Sequence, residues 1–282
     1  MTLKPALAET AAEEILASIA RPRRPQRIAC LTEETVEVLY RIGAGDLVAG
    51  VSIYTRRPPE ARQKPRLSAF IKADFAKIEA VQPDLVLCFS DMQAEIAAEC
   101  ARRGLDVIVF NQRSIAEILG AVLALGSLVG RETEARALES ELREGLHAAA
   151  QRAASWPRRP RVYFEEWPDP MISGIRWVSE LVTLAGGEDL FPELSHGKAA
   201  RERFVNPEDV VRRNPDLILA SWCGKRVKRD EILARPGWEE VTAIRDGEVH
   251  EISSTLILQP GPAALTDGLA AMQAHIERVA HR

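Results

Sequence analysis

Pro83-Asp-Leu-Val-Leu-Cys-Phe-Ser90 returns 132 residues later as Pro215-Asp-Leu-Ile-Leu-Ala-Ser-Trp222, and this pair decides the fold. Each copy follows a stretch with helical spacing, Phe75 to Gln82 in the first case and Glu208 to Asn214 in the second. Proline disfavours helix at the residue before it, so the chain must leave the helix there. It leaves as an apolar run, Leu85 to Phe89 or Leu217 to Ala220, with no polar alternation. Such runs are expected of strands buried on both faces of a parallel sheet.

Two further correspondences surround the first. Arg27-Ile-Ala-Cys-Leu31 matches Arg161-Val-Tyr-Phe-Glu165 at an offset of 134, and Gly104-Leu-Asp-Val-Ile-Val-Phe110 matches Gly247-Glu-Val-His-Glu-Ile252 more loosely. A near-constant offset between strand-like elements that alternate with helices argues for an α/β chain with two lobes of like topology. The period is too long for a solenoid.

Between the copies lie two helical stripes. Ile115, Ile118, Leu119, Val122 and Leu125 form the first, which ends near Gly130, a natural C-cap. Ala135, Leu138, Leu142, Leu146, Ala149 and Ala153 form the second, from about Glu132 to Ser155. At 1.5 Å per residue it spans roughly 36 Å, stiff enough to permit rocking of the lobes rather than wide closure. The expected architecture is two similar α/β lobes with mostly parallel sheets, joined by a long rigid linking helix. An N-terminal extension takes residues 1–25, the first lobe 26–113, the linking helices 114–156 and the second lobe 157–282.

Composition narrows the function. The chain has 282 residues, 46% hydrophobic and 28% charged, with a net charge of -4. It reads as globular and offers no general attraction for nucleic acid. No stretch approaches the roughly 20 apolar residues of a membrane span, so no insertion is expected. Residues 1–20 read as a short amphipathic helix on Ala6, Leu7, Ala11, Ile15, Leu16 and Ile19. Glu9, Glu13 and Glu14 interrupt any secretory apolar core. The expected location is therefore the cytoplasm, with the periplasm as the alternative, and a monomer is expected. The basic run Arg21 to Arg27 reads as a solvated linker because Pro22 and Pro25 break any helical face. Cys30, Cys88, Cys100 and Cys223 show no paired or zinc-type spacing and read as free thiols.

Ligands of open α/β sheets gather at the carboxyl ends of strands. In the first lobe those ends deliver Thr32-Glu33-Glu34, Ser52-Ile53-Tyr54, Phe89-Ser90-Asp91-Met92-Gln93 and Asn111-Gln112-Arg113. In the second they deliver Glu165-Glu166-Trp167-Pro168-Asp169 and Ser221-Trp222-Cys223-Gly224-Lys225. Aromatics beside a few polar groups suit a large, flat, partly apolar ligand. Each has a plainer reading, since a strand-end tryptophan is as often a lid on the core. Cys223 with Glu165 or His196 could ligate a metal, but no spacing rule supports it. The chain carries no G-x-S-x-G, H-E-x-x-H, Walker or G-x-G-x-x-G signature, which points away from an enzyme.

The order of these features resembles a known family. A strand leads into Thr32-Glu-Glu-Thr-Val-Glu-Val-Leu39, then Gly43-Ala-Gly-Asp-Leu-Val-Ala-Gly-Val51 and Pro58-Pro59. Ile78-Glu-Ala-Val-Gln-Pro-Asp-Leu-Val-Leu87, the linking helix and Ala185-Gly-Gly187 follow. The arrangement is similar to the substrate-binding proteins of cobalamin and ferric-siderophore ABC importers, the helical-backbone metal receptors, over about residues 26 to 280. The cobalamin-binding branch looks most similar. The resemblance implies a non-enzymatic protein that holds a corrinoid or metal chelate between its lobes, as a ligand rather than a catalytic cofactor. It implies aromatic contacts from Tyr54, Phe70, Phe89, Trp167 and Trp222 and polar ones from Asp91, Gln93, Glu165 and Arg176; Cys223 joins the ligand-binding set.

The same resemblance implies an ABC permease as partner, docked through one glutamate on each lobe. Glu208 matches the second of these, but Ala76 occupies the position of the first. A missing contact and no visible export signal favour a cytosolic carrier uncoupled from a permease over a periplasmic feeder of an importer. An enzyme acting on a corrinoid or metal with Glu165, Glu166 and Cys223 is a separate alternative.

Overall fold

The computed structural model describes residues 5–19 and 24–282. The duplicated motif appears in it as matched strand registers. In the first lobe β1 (Ile28–Cys30) lies parallel to β2 (Val48–Ser52) on one side and β5 (Leu85–Phe89) on the other. β3 (Arg66–Ala69), β4 (Lys72–Ala73) and β6 (Val107–Phe110) complete a six-stranded sheet of order β4-β3-β2-β1-β5-β6. Only β4 runs antiparallel to its neighbour.

The second lobe holds β7 (Arg161–Pro168), β8 (Met171–Ser173), β9 (Glu188–Asp189), β10 (Leu217–Ala220) and β11 (Val249–Glu251). Its order is β11-β10-β7-β8, with β9 beside the start of β7. Ile28 pairs with Leu85 in the first sheet as Val162 pairs with Leu217 in the second. The protein is a two-lobed α/β fold with mostly parallel sheets.

Why Pro-Asp-Leu recurs is visible in the bonds of its aspartate. The Asp84 carboxylate accepts the backbone amides of Gln26 at 2.7 Å and Arg27 at 2.9 Å, just before β1. Asp216 accepts the amide of Arg161, the first residue of β7, at 2.8 Å. Each aspartate satisfies an amide that the start of a central strand would leave unpaired. The apolar residues that follow alternate between two cores. Leu85 and Leu87 face a cluster that also holds Leu217 and Leu219, whereas Val86 and Cys88 pack outward on Leu31 and Ile78. Ile218 and Ala220 pack outward on Tyr163 and Trp238.

Two helices occupy the chain between the sheets, Ile115–Val129 and Glu132–Ala154. Ser114 and Glu117 cap the first reciprocally, and Gly130 ends it in the left-handed conformation at φ 70°. The pair packs closely at Gly126, where any Cβ would sit 2.2 Å from that of Ala135. Leu119, Leu138, Leu142 and Leu146 belong to the same buried cluster as Ile28 and Leu219, so one apolar core runs through both lobes and the connection. At the N-terminus a helix spans Pro5–Ile19, with Ile15 and Leu16 exposed. The linker expected over Arg21 to Arg27 falls partly outside the described residues.

Candidate functional site

The carboxyl ends of β1, β2 and β5 face those of β10 and β11 across a cavity of about 410 Å³ between the lobes. This size lies within the usual range for small-molecule sites. The first lobe contributes Phe89 at the end of β5, Phe70 from the β3–β4 turn, Tyr54 and Arg56 after β2, and Glu33 and Glu34 after β1. The second lobe contributes the turn Cys223 to Arg226, then Glu251, the hydroxyl residues Ser253 to Thr255, and Leu258 to Pro260.

Glu33 and Glu34 open the helix Glu33–Arg41. Both are buried, and one oxygen of each is held by a hydroxyl: Ser52 Oγ donates to Glu33 at 2.9 Å and Thr32 Oγ1 to Glu34 at 2.6 Å. Burial pushes the Glu34 carboxyl up to about 7; the Thr32 bond opposes the rise and the Glu33 charge adds to it. Burial also raises Glu33, against the pull of Ser52, its own backbone bond and the Arg56 charge. Gly261 rests on this pair from the opposite lobe, and a Cβ there would lie 2.7 Å from that of Glu34.

Four of the residues singled out in the sequence meet at the cavity: Tyr54, Phe70, Phe89 and Cys223. Cys223 lies on an exposed turn, and its thiol is raised by partial desolvation at the cavity, with the charges of Glu166 and Glu33 adding to the effect. Gln93 stands behind the wall, fully buried. Its Oε1 accepts the Phe89 amide at 2.9 Å and its Nε2 donates to the Phe70 carbonyl at 2.7 Å, so it fixes both phenylalanines without reaching the cavity.

The remaining candidates lie elsewhere, each for an identifiable reason. Glu165 is fully buried and bound by the Arg235 guanidinium, with Nη2 to Oε1 at 2.9 Å; Trp222 Nε1 donates to it at 3.2 Å and the Tyr163 hydroxyl at 3.3 Å. Trp222 is thereby drawn into the second lobe's outer core. This corrects the expectation that both line the cleft. Trp167 lies outside the lining, half-buried, with Nε1 donating to the Asp169 carbonyl at 3.0 Å and Lys225 Nζ 4.2 Å from its ring centre. Asp91 points to Arg113 at 2.8 Å, and Arg176 pairs with Glu180 on its own helix at 2.9 Å. The aromatic walls are therefore phenylalanine and tyrosine rather than tryptophan.

Reading the sequence missed the carboxylate pair as part of the site, although Glu33-Glu34 stands at a strand end and the position itself was the signal. It also missed Arg56 and the segment Ser253 to Pro260, which lie beyond the ends of β2 and β11. Of the docking positions, Glu208 is exposed on the first turn of the helix Pro207–Arg213. Ala76 is exposed on the helix Phe75–Ala80, which Asp74 caps by accepting the Lys77 amide. Among the described residues no group of three His, Cys, Asp or Glu side chains could hold a metal ion, and no helix is long and apolar enough to cross a membrane.

A cleft at facing strand ends, between two like lobes joined through helices, defines a solute-binding protein. The chain belongs to the periplasmic binding protein family, whose pattern matches residues 28–256. It is 26% identical over 255 residues to an uncharacterized ABC transporter substrate-binding lipoprotein of Bacillus subtilis, across 85% of this chain and 76% of the relative. It is 24% identical over 243 residues to a vitamin B12-binding protein of Vibrio parahaemolyticus, across 85% and 86% of the two chains. The periplasmic heme-binding protein RhuT from Roseiflexus sp. RS-1 shares the fold with a TM-score of 0.75 and 21% identity, covering 89% of this chain and 99% of that one.

Proposed function

We propose that this protein is the substrate-binding component of an ABC importer for a corrinoid or a related metal chelate, which it holds between its lobes and releases unchanged. The observation that carries the reading is the cavity at facing strand ends, walled by Tyr54, Phe70 and Phe89. Flat, largely apolar ligands gain about 25 cal/mol for each Å² they bury against such walls. Relatives named as ABC transporter and vitamin B12-binding proteins support the ligand class and favour the exported alternative over a cytosolic carrier.

Equilibrium dialysis against cyanocobalamin and against hemin tests the reading. One of them is expected to bind reversibly, to be recovered chemically intact, and to bind at least about tenfold more weakly to Phe89→Ala. Failure of both to bind, or recovery of an altered product, overturns it.

One observation favours a second reading, a carrier that serves no permease: Ala76 stands exposed where the resemblance implies a docking glutamate. In the importer reading Glu208 docks alone, and Glu208→Ala removes transport by a reconstituted importer while leaving ligand affinity unchanged. A carrier without a permease supports no transport with either residue.

A further inference from the structure

The loop and helix that shape the first lobe's side of the cavity also tie the lobes together. Arg56 lines the cavity, and its charge bears on Glu33. The next residue, Arg57, is not part of that lining. Its Nε donates to Glu37 at 3.1 Å and its Nη1 to Asp267 at 2.7 Å. Glu37 lies on the same helix as Glu33, four residues on and so one turn along the same face. Its other oxygen accepts the buried amide of Ala263 at 3.2 Å.

Ala263 and Asp267 follow directly on the cavity residues Leu258 to Pro260. There the chain makes a π-helical turn, Ala264–Gly268, an uncommon geometry that recurs at functional sites. Gly261, between the two sets, is the residue whose backbone rests on Glu34. One helix of the first lobe therefore carries both the cavity's carboxylates and the joint to the second lobe.

We propose that Arg57 is a positioning residue that latches the lobes around a bound ligand, so that its loss speeds ligand escape although it touches no ligand. The inference rests on the reading of the cavity as the ligand site. The two halves of the bridge are unequal. Asp267 is 56% exposed, and a pair of that kind contributes little by itself. The Glu37 side chain is only 7% exposed, and Arg57 is its counter-charge. Without Arg57 a nearly dry carboxylate keeps one amide donor, and it regains hydration most readily if the joint opens to water. Opening there draws the segment Leu258 to Gly268 away from the helix Glu33–Arg41, and with it one wall of the cavity from the other. Local openings of this kind set how fast an enclosed ligand leaves.

The test compares wild type with Arg57→Gln, Asp267→Asn and a control, Arg41→Gln. The control breaks an ion pair of the same helix with Glu141, on the linking helix rather than across the joint. Two quantities are read: the dissociation rate of cyanocobalamin by stopped-flow displacement, and amide hydrogen exchange over residues 257–268 without ligand. Arg57→Gln is expected to raise the off-rate about tenfold, with the on-rate changed less than about twofold, and to speed exchange about tenfold. Asp267→Asn, which leaves the buried carboxylate paired, moves both by about twofold to threefold in the same direction and serves if Arg57→Gln fails to fold. Arg41→Gln moves neither.

The latch is overturned if Arg57→Gln behaves like the control, and equally if the off-rate rises while exchange over 257–268 stays at the wild-type rate. If wild type does not bind cyanocobalamin, the corrinoid reading fails separately. The exchange measurement then decides the latch alone: faster in Arg57→Gln than in the control supports it, and equal rates sink it.

Discussion

The two lobes share a strand plan but put their strand ends to different uses. In the first lobe the end of β5 delivers Phe89 to the cavity, and the residues after β1 deliver Glu33 and Glu34. Near the matching strand ends of the second lobe, Trp222 (aligned with Ser90) and Glu165 (aligned with Leu31) are joined to each other and to Arg235 inside the core. In the proposed reading the first lobe meets a ligand with groups held from behind by Gln93, Ser52 and Thr32. The second meets it with an exposed turn, Cys223 to Arg226, and with loop hydroxyls. The strand plan is common to both lobes, and side-chain pairing decides which strand ends stay inside their own lobe.

Substitutions can break that comparison. Arg235→Ala should have the largest effect on stability, because it leaves Glu165 unpaired with no exposure to water. A loss of about 4 kcal/mol in urea unfolding is expected, with ligand affinity of the folded fraction unchanged. An affinity loss beyond the fraction unfolded would return Glu165 to the binding site. Phe89→Ala should show the opposite pattern of use: about 3 kcal/mol of stability lost together with at least about tenfold in affinity.

The carboxylate pair gives the first lobe a pH signature of its own, in the opposite sense to that of His275 in the second lobe, which burial pushes down to about 4. Glu34 titrates near 7 in the fold against 4.5 in an ordinary setting. Between those values the folded protein holds a proton that the unfolded chain has released. This contribution to stability is therefore complete below about pH 4.5 and disappears as pH rises through 7, at most about 3 kcal/mol in all. Burial raises Glu33 in the same direction. From pH 5 to pH 8 the urea midpoint of wild type should fall relative to that of Glu34→Gln, since the opposing His275 contribution is common to both. Smallest of all, Lys225→Ala should change stability by less than about 0.5 kcal/mol, since the residue is exposed at the cavity rim and its ammonium lies over the Trp167 ring. A large loss would mean that the second lobe's turn is as firmly built into its lobe as the first lobe's wall.

The fold was legible because its signals are local. Proline followed by an apolar run marks a buried strand, and a five-residue stripe ending at Gly130 marks a helix and its stop. The lining of the cavity was legible only where one strand end alone decides a side chain's place, as with Phe89 and Tyr54. Trp222 and Glu165 were misread because their fate depends on Arg235, 70 residues from Glu165 in the chain. Arg57 gave no sign for the same reason, since Asp267 lies 210 residues away. Gln93 was placed near the right residues in the wrong role, because a buried amide that braces a backbone and one that meets a ligand look alike in sequence.

The apolar seam from Ile28 through Leu119 and Leu138 to Leu219 and Met272 has a consequence for how such a molecule can diversify. Recombination that exchanged one half for that of a cousin would hand each descendant a mismatched inner surface, even though the backbones would superpose. New ligand preferences on this scaffold must instead arise in the turns beyond the strands, residue by residue, with the inherited interior left intact.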